Sequence, residues 1–157
     1  LFIPGGLVHA IGAGCLIYEV QQNSNTTYRL FDWGRVGIDG KPRPLHIDES
    51  FKTIDWSLPA PQMITPSSQT AENGNRWSNV VSCDFFTLRQ LDLSAPCRIA
   101  VDGTTFHALF VTAGQVTVTA GGESIVLSTG SSALVPADAQ GYTLTPDTVG
   151  TLMVTTL

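Results

Sequence analysis

Apolar and polar residues alternate with a period of two in two parts of the chain, and a long stretch without any period separates them. In the first part, residues 15–22 place Leu16, Tyr18 and Val20 on one face and Ile17, Glu19 and Gln21 on the other, the pattern of a β-strand. Asn23-Ser24-Asn25 is a turn cluster, and residues 27–33 alternate again. A hairpin centred on Ser24 sets Glu19 directly opposite Arg29 on one face, where cross-strand pairs meet. Residues 34–44, with Gly37, Gly40, Pro42 and Pro44, read as a loop. The period then changes. Ile47, Phe51 and Ile54 stand at i, i+4 and i+7, and Asp48 and Glu49 suit a helix N-terminus, so a short helix is predicted near 47–55.

Residues 57–79 hold Pro59, Pro61, Pro66, a Ser/Thr/Gln stretch and Asn73-Gly74, and read as an extended connector with room for one edge strand. After Val80 short strands recur evenly, over residues 82–91, 98–101, 106–112, 115–119, 123–127, 132–135, 142–145 and 151–157. Glycine-containing turns separate several of them, at Asp102-Gly103, Ala113-Gly114, Gly121-Gly122 and Thr129-Gly130. That regularity predicts a jelly roll or small barrel. Its expected core is Ile99, Val101, Leu109, Val111, Val116, Val118, Ile125, Leu127, Leu134, Leu144 and Met153. The fold class is therefore all-β, with strands in 1–35, a connector with one short helix in 36–79, and a β-barrel in 80–157.

Composition agrees with this and narrows the function. A chain of 157 residues can bury a real core. Charged residues make up 13%, about half the usual share. The net charge of −5 with no basic run argues against a nucleic-acid partner. No apolar run reaches the ~20 residues of a membrane span, and Leu1-Phe2-Ile3 is too short, and lacks the charged flank, for a signal peptide. Cys15, Cys83 and Cys97 have no metal-site spacing and read as buried free thiols of a cytoplasmic protein.

The candidate chemistry lies near the start. Pro4 and Gly6 make a tight turn that delivers His9 to an apolar segment. An imidazole on a rigid turn, with Glu19 and Arg29 arriving from the next two strands, can form a metal and anion site. A core histidine beside an ordinary cross-strand ion pair explains the same residues, and such an exposed pair contributes only ~0–1 kcal/mol. Five of the eight basic residues fall between Arg29 and Lys52. A solvated loop accounts for them, and a sugar phosphate would also be attracted to them.

The order of these residues carries a resemblance. Pro4-x-Gly6-x-x-His9 is the second half of the cupin metal signature. With Ala10-Ile11-Gly12, the run from Glu19 to Arg29, and Asp32-Trp33-Gly34-Arg35, it resembles the type I mannose-6-phosphate isomerase family in its short bacterial form. The resemblance is strong before Arg35 and weak after Trp56. It implies a zinc-dependent interconversion of mannose 6-phosphate and fructose 6-phosphate through an enediolate. It makes His9 the last metal ligand, Arg29 the catalytic arginine, and Glu19 and Arg35 substrate-binding residues. Asn25 stands where some relatives carry Asp and takes no role.

The resemblance also implies that the chain corresponds to the C-terminal half of such an enzyme. Residues 1–35 would be the last strands of a first, incomplete cupin barrel. The other zinc ligands, a Gln-x-His pair and a Glu, would lie upstream of Leu1, so the zinc site is incomplete in this chain. The expected partners are the sugar-phosphate substrate and the missing N-terminal half. Unpaired edges in 1–35 would also invite a homodimer. In the second barrel, residues 130–136 keep the Gly-to-Pro spacing of the signature, but Gly141 stands where a histidine would follow. His107 is the one histidine nearby, so this barrel is expected to lack metal and to be structural. The alternative function is a non-catalytic cupin-like module that binds a sugar or a protein.

Overall fold

The computed structural model describes residues 1–71 and 73–157. The chain divides into two compact units, Leu1–Met63 and Ile64–Leu157.

The second unit is an antiparallel sandwich. Its strands are β1 (Ser67–Thr70), β2 (Arg76–Ser82), β3 (Thr87–Leu93), β4 (Cys97–Ala100), β5 (His107–Ala113), β6 (Gln115–Ala120), β7 (Glu123–Ser128), β8 (Ser132–Val135), β9 (Gly141–Pro146) and β10 (Gly150–Thr156). One sheet has the order β1-β2-β3-β10-β5-β8 and the other β4-β9-β6-β7. Successive strands cross between the sheets at β3–β4, β4–β5, β5–β6, β7–β8, β8–β9 and β9–β10, the winding of a jelly roll. The all-β prediction holds, and each strand expected after Val80 has its counterpart. The connector reading of 57–79 does not extend to its C-terminal part, because β1 and most of β2 lie there and pair with one another.

Burial follows the pleat. Leu91, Leu93, Leu109, Val111, Val116, Val118, Leu144, Leu152 and Val154 point between the sheets. Three expected core residues do not. Ile125 is on edge strand β7 and is 51% exposed, and Leu134 is 61% exposed because Ala133 and Val135 take the inner face of β8. Met153 is half-buried on the opposite face of β10 from Leu152 and Val154. In β8 and β10 a one-residue error of phase exchanges the faces.

Asn75 fixes one corner. Its side chain is fully buried, accepts from the backbone N–H groups of Ser94 (2.8 Å) and Ala95 (3.0 Å), and donates to the Ala95 carbonyl (3.1 Å). The β1–β2 turn is thereby tied to the β3–β4 corner.

In the first unit the one helix is α1 (Ile47–Thr53), within the predicted range, and no strand forms. The two predicted strands and their hairpin are not seen: residues 15–22 and 27–33 make no ladder, and an isolated bridge joins Val36 to Pro42. The reason is visible in burial. Leu16 is fully exposed and Ile17 half exposed, so the alternating faces have no packed surface to lie on. The helix stripe also fails. Ser50 is its buried residue, while Ile47 and Phe51 remain exposed, the latter stacked on Trp56.

Candidate functional site

The Pro4–Leu7 turn forms as expected. The Leu7 N–H donates to the Pro4 carbonyl at 3.2 Å, and Gly6 takes φ +87°. A side chain at Gly6 would also meet Asp55 and the Thr53 carbonyl at 3.1 Å, where the turn docks on the end of α1 and accepts the Asp55 N–H. Glycine is required on both counts. The turn borders a cleft of about 440 Å³ lined by Phe2, Pro4, Leu7, Leu58, Pro59 and Gln62, among others, which holds none of the predicted site residues.

His9 follows two residues after the turn, with its side chain exposed. Its Nδ1 lies 3.0 Å from the Leu7 carbonyl. A carbonyl can only accept, so Nδ1 carries the proton and Nε2 is left with its lone pair. A metal-ligating imidazole is commonly held in this way. One donor does not make a zinc site, however, since zinc takes about four ligands. Among the described residues no group of three or more His, Cys, Asp or Glu is gathered for a metal. The residues present fit one corner of such a site and not the whole.

Arg29 is anchored by its backbone. Its carbonyl accepts the His46 N–H (2.8 Å), and its N–H donates to His46 Nδ1 (3.2 Å). Its guanidinium donates to the Pro44 carbonyl at 3.2 Å. His46 is also the residue that begins α1, so helix start and arginine are positioned together. The expected Glu19–Arg29 pair is absent, because without the hairpin nothing brings the two side chains into register. No hydrogen bond or ion pair joins any two of His9, Glu19, Arg29 and Arg35 among the described residues.

Arg35 belongs to a different cluster. Asp32, 6% exposed, accepts from Arg35 Nε (3.1 Å) and Nη2 (2.8 Å), from Arg43 Nε (2.7 Å), and from Arg43 Nη2. The hydrogen bonds from Arg43, reinforced by Arg35, outweigh the cost of burial and hold the Asp32 carboxyl down at about 2. Arg43 in turn titrates above its usual range because Asp32 accepts from it. Two cations on one carboxylate leave a surplus positive charge on the loop. The sequence offers Arg43 only as one member of a basic loop, and the i+11 spacing from Asp32 carries no periodic signal.

In the second unit, Gly141 occupies the position where the signature's histidine would stand. It begins β9 with φ +146°, and a side chain there would lie 2.8 Å from the Ile99 carbonyl. The backbone has no room for a ligand at that point. His107 is buried, 3.1 Å from the Tyr142 hydroxyl. Burial, with Arg89 as a lesser influence, pushes its pKa down, and burial raises that of Tyr142.

Comparison with known proteins places these features. The family described as "Mannose-6-phosphate isomerase, cupin domain" matches residues 77–156. The mannose-6-phosphate isomerase of Streptococcus mutans is 33% identical over 135 residues, 86% of this chain and 42% of that protein. ManA of Bacillus subtilis is 36% identical over 99 residues, 62% of this chain and 30% of that protein. The chain thus spans less than half the length of these curated relatives. Among solved structures, the B. subtilis mannose 6-phosphate isomerase superposes with a TM-score of 0.72 at 24% identity, covering 85% of this chain and 41% of that one. An RmlC-like cupin from Shewanella frigidimarina matches at 0.51 and 17% identity, over 58% of this chain and 82% of its own. These likenesses establish the cupin fold, and on the family match this chain belongs to the mannose-6-phosphate isomerase cupin-domain family.

Proposed function

We propose that this chain is part of a zinc-dependent mannose-6-phosphate isomerase that interconverts mannose 6-phosphate and fructose 6-phosphate. The observation that carries the reading is the extent of the match to the S. mutans isomerase. It cannot be confined to the sandwich and takes in the segment bearing Arg29 and Arg35. His9, with Nδ1 pinned and Nε2 open, would be the one zinc ligand supplied here. Bound zinc would supply electrophilic stabilisation of the developing oxyanion.

Arg29 is assigned as the catalytic arginine, offering fixed positive charge to the enediolate as a proton moves between C2 and C1. Arg35, steadied by Asp32, and Glu19 are assigned to the sugar phosphate. Residues 1–35 belong in this proposal to a first cupin barrel. That barrel is completed by an N-terminal half carrying the remaining ligands, against which the exposed Leu16 and Ile17 would pack. Cys15, Cys83 and Cys97 are free but not buried as expected, Cys15 being exposed and the other two half-buried, and free thiols suit the reducing cytoplasm in which we place it. No helix among the described residues is long and apolar enough to cross a membrane.

Reconstitution tests the proposal. The 157-residue chain alone should bind zinc poorly and show no isomerase activity, and joining it to the N-terminal half of a relative should restore both. In the complete enzyme, Arg29→Ala should abolish turnover with zinc retained, whereas His9→Ala should lose the metal. Stoichiometric zinc and turnover in the isolated chain would refute the division of ligands. A complete enzyme indifferent to Arg29→Ala would refute the assignment of the site.

A further inference from the structure

The interior of the sandwich is not uniform along its length. At the end near the β5–β6 turn it is filled by Leu93, Val111 and Val116. At the other end the inner face carries Arg89, His107 and Tyr142. The register requires this for Arg89: Val154 of β10, a core residue, pairs with Leu109 on one side and Arg89 on the other, and directly opposed residues share a face. His107 stands two residues before Leu109 on the same inner row and is paired with buried Val135. Tyr142 reaches it from the opposite sheet, with a 3.1 Å bond and an edge-to-face ring contact.

Arg89 is the anomaly. Its guanidinium lies 4.7 Å from the centroid of the Trp77 ring, yet it makes no hydrogen bond or ion pair among the described residues. A half-buried cation with five unengaged donors is costly unless something accepts from them. Asp102, whose field reaches His107, accepts at Oδ1 from the N–H (2.9 Å) and hydroxyl (2.6 Å) of Thr104, and no hydrogen bond joins it to Arg89 or His107 among the described residues. Among the described residues the His107 Nε2 likewise has no partner. The contact between Nδ1 and the hydroxyl admits Tyr142 as the donor, and in that arrangement Nε2 carries a proton and becomes a second donor at this end of the interior.

From this geometry we propose that the polar end of the sandwich interior binds the oxyanion group of a small molecule, a carboxylate or a phosphate. Arg89 would be its charge partner, and His107 Nε2–H, oriented by Tyr142, its second donor. Trp77 lies against the guanidinium, 4.7 Å from its ring centroid, and the far end of the interior is filled by apolar side chains. No residue of the first unit takes part, so the proposal stands or falls separately from the isomerase reading.

The test is titration of the 157-residue chain with inorganic phosphate and, separately, with citrate, at constant ionic strength maintained with chloride. The His107 ring is followed by NMR. A bound oxyanion should move that resonance saturably and raise the histidine's pKa, leaving His9 and His46 unmoved. Arg89→Gln should weaken binding roughly tenfold or more, because a charge-assisted hydrogen bond is lost. Arg98→Gln, which removes an exposed charge on β4, should leave it unchanged. Tyr142→Phe should weaken it less than Arg89→Gln. Saturation by phosphate but not citrate, or the reverse, assigns the chemical class within the proposal. Absence of saturable movement up to millimolar concentrations of both overturns it. Equal losses in the folded Arg89→Gln and Arg98→Gln variants, checked by backbone spectra, also overturn it.

Discussion

In the second unit, buried aliphatic side chains from two sheets meet in one core, and every strand but the edges has a neighbour on each side. In the first unit the buried residues are Asp32 and Ser50, while Leu16, Ile17, Phe31 and Trp33 lie exposed. Both units carry alternating apolar and polar residues. Only one turns the alternation into strands, because a strand is stabilised by the ladder beside it and the surface beneath it. What holds the first unit together is local and polar: the Pro4–Leu7 turn against α1, the two Arg29–His46 hydrogen bonds, and the Asp32–Arg35–Arg43 cluster.

This contrast can be broken most forcefully by mutation of apolar residues. Leu152→Ala or Leu91→Ala should cost about 2–5 kcal/mol in denaturant unfolding, since both are fully buried. Leu16→Ala should stay within about 0.5 kcal/mol in the isolated chain. A large loss at Leu16 would mean that the first unit has a packed face after all.

Backbone-linked polar groups come next. Asn75→Ala should destabilise the sandwich by about 1–3 kcal/mol, leaving the Ser94 and Ala95 N–H groups without their acceptor. Gly141→His should cost a similar amount, about 1–3 kcal/mol, from the positive φ and the close Ile99 carbonyl. It should not create zinc binding measurable by calorimetry. Gain of a zinc site there would contradict the close packing described at that position.

Acid separates the two units by their titrating groups. His107 has a lowered folded-state pKa, so the unfolded chain takes up the proton first. Stability of the sandwich should therefore fall as pH drops below roughly 6.5, the unfolded value, and the loss should be complete below the folded one. His107→Gln should flatten that region of the curve. Asp32, held at about 2, contributes above its unfolded value of about 4, and that contribution is lost as pH falls through about 2. Carbon NMR of the Asp32 carboxyl should show a midpoint well below those of the other aspartates. The smallest effect is kinetic: limited proteolysis should cut within 1–63 before 64–157, because locally held segments open more readily than core strands.

Much of this protein was legible in its residues alone. Period-two runs between glycine turns located the strands after Val80, because alternation and turn chemistry are local properties of the chain. The helix near Ile47 and the Pro4–Leu7 turn were legible for the same reason. The inner row of β10, the exposure of Ile125, and the failure of the 15–33 hairpin were decided only in three dimensions. Each depends on which strand lies alongside, and a shift of one residue reverses every face. The separation of Glu19 from Arg29, and the gathering of Arg35 and Arg43 on Asp32, follow from the path of a loop that has no period to read. Arg89 was one basic residue in a strand until its pairing with Val154 turned it inward, beside a histidine and a tyrosine brought from two different sheets.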